Sequence, residues 1–249
     1  MYLRLALLAI AALATHGFAQ NNPQPSVDDL VAKNVEAKGG AQALQALTSL
    51  QVSGKLLIND GRLQFGFAET KKRPAEVRSE VTVQGMTAVE AYDGTNGWKI
   101  SPFQGRKDPE RMSADDVKEL QTEAEIDGPL VNWKEKGSTV EYLGTEDIDG
   151  TEAHKLKVTR KNGDIQLVYL DPDHFLEIRI ITQRMQHGAL VETEADFGDY
   201  EKVGNVFMPF AAEAGPRGST DKQKIVIDKA EPNVAVDDSI FQFPPTAAR

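Results

Sequence analysis

From Leu50 onwards the chain is written in steps of two. Leu50, Val52, Gly54, Leu56 and Ile58 alternate with Gln51, Ser53 and Lys55. After Asn59, Asp60 and Gly61 the pattern resumes as Leu63, Phe65 and Phe67 set against Arg62, Gln64 and Gly66. Residues 71–74 interrupt it, and Ala75, Val77, Val81 and Val83 then alternate with Glu76, Arg78, Glu80 and Thr82. Gly85 turns the chain into residues 87–92, which include Val89. A period of two marks a strand with one face in a core and the other toward water. Residues 91–100, AYDGTNGWKI, place Asp-Gly and Asn-Gly between apolar arms. Those residues tolerate the positive φ of a tight reversal, so the stretch predicts a hairpin with Tyr92 on one arm and Trp98 on the other. Five strands joined by short reversals read as an antiparallel meander.

The same rhythm returns after residue 139. His154, Leu156 and Val158 form one strand face, Asn162-Gly163 turns the chain, and Ile165, Leu167 and Tyr169 follow. Asp171-Pro172-Asp173 is a further turn before Leu176, Ile178 and Ile180, and His187-Gly188 precedes residues 190–200. Val206, Met208 and Phe210, then Ile225 and Ile227, complete the strands. Helical spacing is confined to three places. Ser26 caps a helix with Asp28 and Asp29 in its first turn and Leu30, Val31, Asn34 and Val35 on one face, stopped by Gly39-Gly40. Residues 41–47 carry Leu44 and Leu47, and Ser113 opens a helix with Val117 and Leu120 on one face. Residues 101–111, with two prolines and several charges, read as a loop, and the apolar patch 129–133 as a helical turn. The expected fold is mainly β: one strongly curved antiparallel sheet of about eleven strands, an incomplete barrel, with helices on its concave face.

Charge and composition narrow the function classes. The 249 residues carry a formal charge of −10, which argues against a nucleic-acid partner and against adsorption to an anionic membrane. There is no cysteine, hence no disulfide, thiolate metal site, thiol nucleophile or cysteine-borne lipid anchor. His154, His174 and His187 lie far apart without metal-ligand spacing, so no metal and no cofactor are expected. At the start, Arg4, the apolar run 5–14 and the small residues Gly17 and Ala19 form a secretory signal peptide over residues 1–19, leaving a single domain over 20–249. Losing Arg4 moves the net charge from −10 to −11. An acidic, cysteine-free exported chain fits a bacterial periplasm.

No catalytic arrangement stands out. The G-x-S-x-G and Gly-rich phosphate-loop patterns are absent, and the carboxylates fall on the polar phase of strands or in turns. Asp171-Pro172-Asp173-His174 is better read as a turn than as a metal or acid–base cluster, and His154 as a wall histidine. What stands out is apolar. A curved sheet of this size has more concave apolar surface than two or three short helices can fill. Leu63, Phe65, Phe67, Val89, Trp98, Leu167, Tyr169, Ile178 and Ile180 are the expected lining of a ligand-sized cavity.

Several short features occur together in order: the early helix ending in Gly39-Gly40, the strand 50–58, Lys72-Arg73-Pro74, Ala91-Tyr92-Asp93-Gly94 with Trp98, Asp199-Tyr200 with Pro209, and Asp238-x-x-Phe241-x-x-Pro244. In these the chain resembles the periplasmic lipoprotein-sorting proteins of the LolA/LolB-like family along nearly all of its mature length. The resemblance implies an open half-barrel with a helical lid, an apolar hollow for acyl chains, and no catalysis. It also implies an early-strand arginine that ties down the lid; Lys55 and Arg62 lie in the first two strands, and neither sits in a matching motif. The expected function is a soluble periplasmic carrier or binder of lipoproteins, lipids or other apolar ligands, with an envelope protein partner and transient membrane contact as further possibilities. The alternatives are a non-catalytic envelope interaction or sensor module with a packed interior and, last, an envelope hydrolase.

Overall fold

The structure is a computed structural model and describes residues 24–245. The expected signal peptide lies outside the described residues. Helix α1 (Val27–Ala37) begins at Ser26, whose Oγ accepts the Asp29 N–H at 3.1 Å, with Asp28 and Asp29 in its first turn. Its end needs glycine: Gly39 has φ +110°, and a Cβ there would lie 2.2 Å from the Asn205 carbonyl oxygen. Helix α2 (Ala41–Ala46) follows, then strands β1 (Ser49–Ile58), β2 (Leu63–Lys72), β3 (Glu76–Val83), β4 (Met86–Tyr92), β5 (Gly97–Ser101) and β6 (Arg106–Arg111). Helix α3 (Ala114–Glu123) separates these from β7 (Thr139–Ile148), β8 (Thr151–Thr159), β9 (Ile165–Leu170), β10 (Glu177–Gln186), β11 (Ala189–Val203), β12 (Val206–Pro216) and β13 (Gln223–Pro232).

All thirteen strands form one sheet in the order β6-β5-β4-β3-β2-β1-β13-β12-β11-β10-β9-β8-β7, with antiparallel pairing throughout. The sheet is open, since β6 and β7 are its two edges. It holds thirteen strands instead of about eleven. One strand not anticipated is β6, whose sequence RKDPER reads as loop; Pro109 and its charged neighbours are tolerated because β6 is an edge that pairs only with β5. Residues 129–133 form turns and no helix, with Leu130 and Val131 buried.

The curvature follows from what α3 touches. The Ser79 hydroxyl of β3 lies 3.2 Å from a Glu123 carboxylate oxygen, while Arg184 Nη2 of β10 donates to Thr122 Oγ1 at 2.7 Å. Five strands lie between β3 and β10. In a flat sheet these two strands would stand roughly 29 Å apart at about 4.8 Å per strand. A single helix is about 10–12 Å wide, so the sheet must curl round to bring both wings to α3.

The register assigns each strand two faces. On the inner face, which carries the helices, α1 and the 125–138 segment cover Leu156, Val158, Val168 and Leu170, and α3 covers Val77 and Tyr92. On the outer face the C-terminal segment crosses β3, β4 and β5. Trp98 Nε1 donates to the Phe241 carbonyl at 2.7 Å, Phe243 packs edge-on to Trp98, and Arg78 lies over the indole. Tyr92 and Trp98 therefore face opposite sides of the sheet, because Trp98 pairs with Ala91 and Tyr92 with Gly97.

Candidate functional site

Between the two helix-covered wings the inner face has a floor made of strands alone. Leu50, Val52, Leu56, Phe67 and Val203 are its buried members, and no helix residue belongs to the cluster. Around them lie Phe65, Val81, Met208, Phe210, Ile225 and Ile227, all only partly buried. The pairing places them together: Leu56 stands opposite Phe65 on one side and Ile225 on the other, and Gly54 opposite Phe67 and Ile227. Gly54 admits this close approach, since a Cβ there would meet the Val226 carbonyl oxygen at 2.0 Å. The result is an apolar trough along β1, β2, β12 and β13, open to solvent.

Helix α3 bridges the two wings. On one side Val117 and Leu120 pack against Val77 and Tyr92. On the other, Arg184 is held by Asp164 at 2.8 Å and reaches Thr122, the Lys118 ammonium donates to the Met185 carbonyl at 3.1 Å, and the His187 N–H donates to Asp115 at 3.0 Å. His187 Nε2 also lies 3.1 Å from Asp116 Oδ1.

An ionised cluster lies beside the trough, beneath the C-terminal turn of α3. Lys71 and Glu69, neighbours in phase on β2, form an ion pair of 3.0 Å with side chains 18% and 11% exposed. Glu69 Oε2 and Glu123 Oε1 both lie within 3.3 Å of the Ser79 hydroxyl. Burial pushes the Glu123 carboxyl well above the usual range, and the adjacent Glu69 pushes it further. Burial also acts on Glu69, but Lys71 and hydrogen bonds from Glu123, Lys71 and Ser79 outweigh it and hold that carboxyl low. Lys71 thus favours the charged form of Glu69, and that charge disfavours ionisation of Glu123.

The residues expected to line a cavity are not brought together. Leu63, Phe65 and Phe67 lie in phase on the inner face of β2, at the trough, although Leu63 is 47% exposed at its mouth. Val89 and Trp98 lie on the outer face beneath the C-terminal segment. Leu167 and Tyr169 also face outward, packed with Ile148, Ala153 and Ile181. Ile178 joins them, whereas Ile180 packs inward against the cluster of Leu30 and Val168. A bulge between Glu177 and Arg179 separates these two isoleucines despite their spacing of two. Met208, Phe210, Ile225 and Ile227 were recognisable as strand faces; their place at the trough depends on a register that local alternation does not carry. Elsewhere, His154 bonds the Tyr142 hydroxyl at 3.1 Å and stacks on Phe175, and Asp171 accepts the backbone N–H groups of Asp173 and His174, which makes that segment a turn. Two shallow pockets, half open to solvent, lie away from the trough: one of about 330 Å³ between the β1–β2 and β12–β13 turns, one of about 240 Å³ beside α3 and the β4–β5 turn.

No protein-family model and no curated protein matches the sequence. Solved structures do match its shape. A DUF1329 family protein from Desulfovibrio piger has a TM-score of 0.58 at 16% identity, covering 87% of this chain and 97% of that one. A LolA superfamily protein from Nitrosomonas europaea has a TM-score of 0.57 at 13% identity, covering 88% and 98%. A putative outer membrane lipoprotein-sorting protein domain from Vibrio parahaemolyticus has a TM-score of 0.54 at 12% identity, covering 85% and 97%. The chain shares the open, curved sheet of these proteins over most of its length. At such identities the likeness is one of fold.

Proposed function

We propose that this protein is an exported, non-catalytic carrier or binder of apolar chains, the acyl groups of lipids or lipoproteins, which it holds in the trough beneath α3. The observation that carries this reading is the strand-only floor: a cluster of thirteen apolar residues on the inner face with no helix residue packed among them. Elsewhere on that face the protein buries its apolar strand residues under α1, α2 or α3. Each methylene removed from water contributes roughly 0.8 kcal/mol, so one long acyl chain offsets the cost of ordering it. The shared fold with a lipoprotein-sorting domain supports the same class of ligand, and the leader over residues 1–19 supports a periplasmic location. An interaction module with a packed interior would need these floor residues covered, and Phe65, Phe210 and Ile227 are not fully covered.

The test is a titration of the full chain with a fluorescent fatty-acyl probe, wild type against Phe65→Glu. A carboxylate in the trough either ionises beside the ligand or draws in water. The expected result is saturable binding by wild type and a loss of at least tenfold in the variant, with the thermal midpoint shifted by only a few degrees. Absence of probe binding by folded wild type would reject the reading.

A further inference from the structure

The inner face of β2 changes character along its length. Leu63, Phe65 and Phe67 are followed in the same phase by Glu69 and Lys71. The pairing fixes their places: Phe67 stands opposite Gly54 and Val81, Glu69 opposite Val52 and Ser79, and Lys71 opposite Leu50 and Val77. One strand face therefore runs from apolar residues at its hairpin end to an ion pair beneath α3. The uncovered part of the floor stops at the same level. Ile58, Phe65, Ile225 and Ile227 are only partly buried, whereas Leu50 and Val52, level with the ion pair, are buried. The pair is built in: Glu69 and Lys71 meet at 3.0 Å, and the Ser79 hydroxyl lies 3.3 Å from Glu69 and 3.2 Å from Glu123 of α3. Pushing one member aside to admit a ligand would leave the other charge without its partner in a place mostly shielded from water.

We infer that the Glu69–Lys71 pair, held under Glu123, is the inner stop of the trough, so that the site selects acyl chains by length and takes them tail first, with the polar head at the Leu63 end; the inference rests on the reading of the trough as an acyl-chain site. A methylene laid against the pair gains little, because the charges it meets would have to give up their remaining water. The head cannot take the inner position either. Lys71 is already matched by Glu69, and a ligand carboxylate placed there would face Glu69 and Glu123 as well as the lysine. The apolar stretch has a definite length. At roughly 3.3 Å per residue, β2 rises about 13 Å from Leu63 to Phe67. One leaflet is half of a hydrocarbon core about 30 Å thick, so its chains are about 15 Å long. The uncovered floor thus matches one chain of ordinary membrane length, and the pair stands where that chain ends.

The experiment is displacement of the fluorescent acyl probe from the full chain by saturated fatty acids from octanoate to stearate, each below its micelle concentration. For wild type, affinity is expected to rise about fourfold with each methylene and to level off at about myristate, where the chain outgrows the floor. Glu69→Val combined with Lys71→Val removes both charges together and leaves smaller apolar side chains that suit a strand. In that variant palmitate and stearate should gain about tenfold over wild type, with octanoate unchanged. Glu69→Lys combined with Lys71→Glu keeps an ion pair at the same place and should keep the wild-type break. Should the variant lacking both charges fail to fold, the wild-type series still decides: a rise that continues unbroken to stearate would overturn the inference and leave the trough reading standing. A loss of affinity shared equally by all chain lengths in the uncharged variant would also overturn it, since the pair would then be the seat of the carboxylate. Absence of probe binding by folded wild type would instead reject the trough, and the inference with it.

Discussion

Two apolar clusters on the same face of the same sheet are treated differently. Under α1, Leu30, Leu130, Leu156, Val158, Val168 and Leu170 are all 0% exposed. At the trough, the buried members are 3–9% exposed, and their apolar neighbours remain in contact with solvent. The strands differ little in apolar content; what differs is whether a helix or the 125–138 segment lies over them. An apolar strand face without a helical partner is stabilised less by the fold itself, and it is available to a ligand. Covered and uncovered apolar residues thus differ in what lies over them and not in type.

Substitutions can break this comparison, and the largest effect is expected in the covered cluster. Leu156→Ala should cost about 2–5 kcal/mol by leaving a cavity in close-packed surroundings, with probe affinity of the folded fraction unchanged. Phe210→Ala at the trough removes more atoms and should cost only about 1 kcal/mol, while weakening probe binding several-fold. Chemical denaturation paired with probe titration checks both; equal stability losses at the two sites would mean that the trough is ordinary core.

The outer face supplies an intermediate case, since it is covered by the C-terminal segment. Trp98→Phe leaves the Phe241 carbonyl without its 2.7 Å donor in a buried setting. It should cost about 1–3 kcal/mol and expose residues after 235 to limited proteolysis. An unchanged cleavage pattern would show that the segment is held by other contacts.

A smaller effect is expected beneath α3, and it depends on pH. Burial and the neighbouring Glu69 raise the pKa of Glu123 in the fold. A carboxyl whose pKa is raised by folding favours the folded state below its ordinary value of 4.5, and the advantage shrinks as pH rises, because the unfolded chain releases the proton first. Glu123→Gln keeps the hydrogen-bonding shape without a titrating proton. Its thermal midpoint relative to wild type should rise with pH from about 4.5 upward. A constant difference between the two proteins across that range would contradict a raised pKa at Glu123.

Much of the architecture was legible because alternation reports one strand at a time. The hairpins at residues 91–100 and 162–163, the cap at Ser26 and the stop at Gly39-Gly40 all follow from local rules. The lining of the site was less accessible, because it depends on facts that no local window holds. Ile225 and Ile227 reach Leu56 and Gly54 only through a β1–β13 pairing that spans most of the chain. Ile178 and Ile180 share a phase in sequence, and a bulge sends them to opposite faces. Trp98 and Val89 read as cavity aromatics and aliphatics until the C-terminal segment is seen lying over them. Only the β2 residues Leu63, Phe65 and Phe67 lie where alternation and coverage agree.

In the proposed carrier an acyl chain lies on the β1, β2, β12 and β13 floor and nowhere else. Photo-crosslinking with a diazirine-bearing fatty acid, followed by peptide mapping of the full chain, tests it most directly. Adducts are expected in the peptides that contain Phe65, Met208 or Phe210, and Ile225 or Ile227, suppressed by excess unlabelled fatty acid and by Phe65→Glu. Competable adducts confined to the peptides of Tyr169 or Trp98, on the outer face, would contradict it.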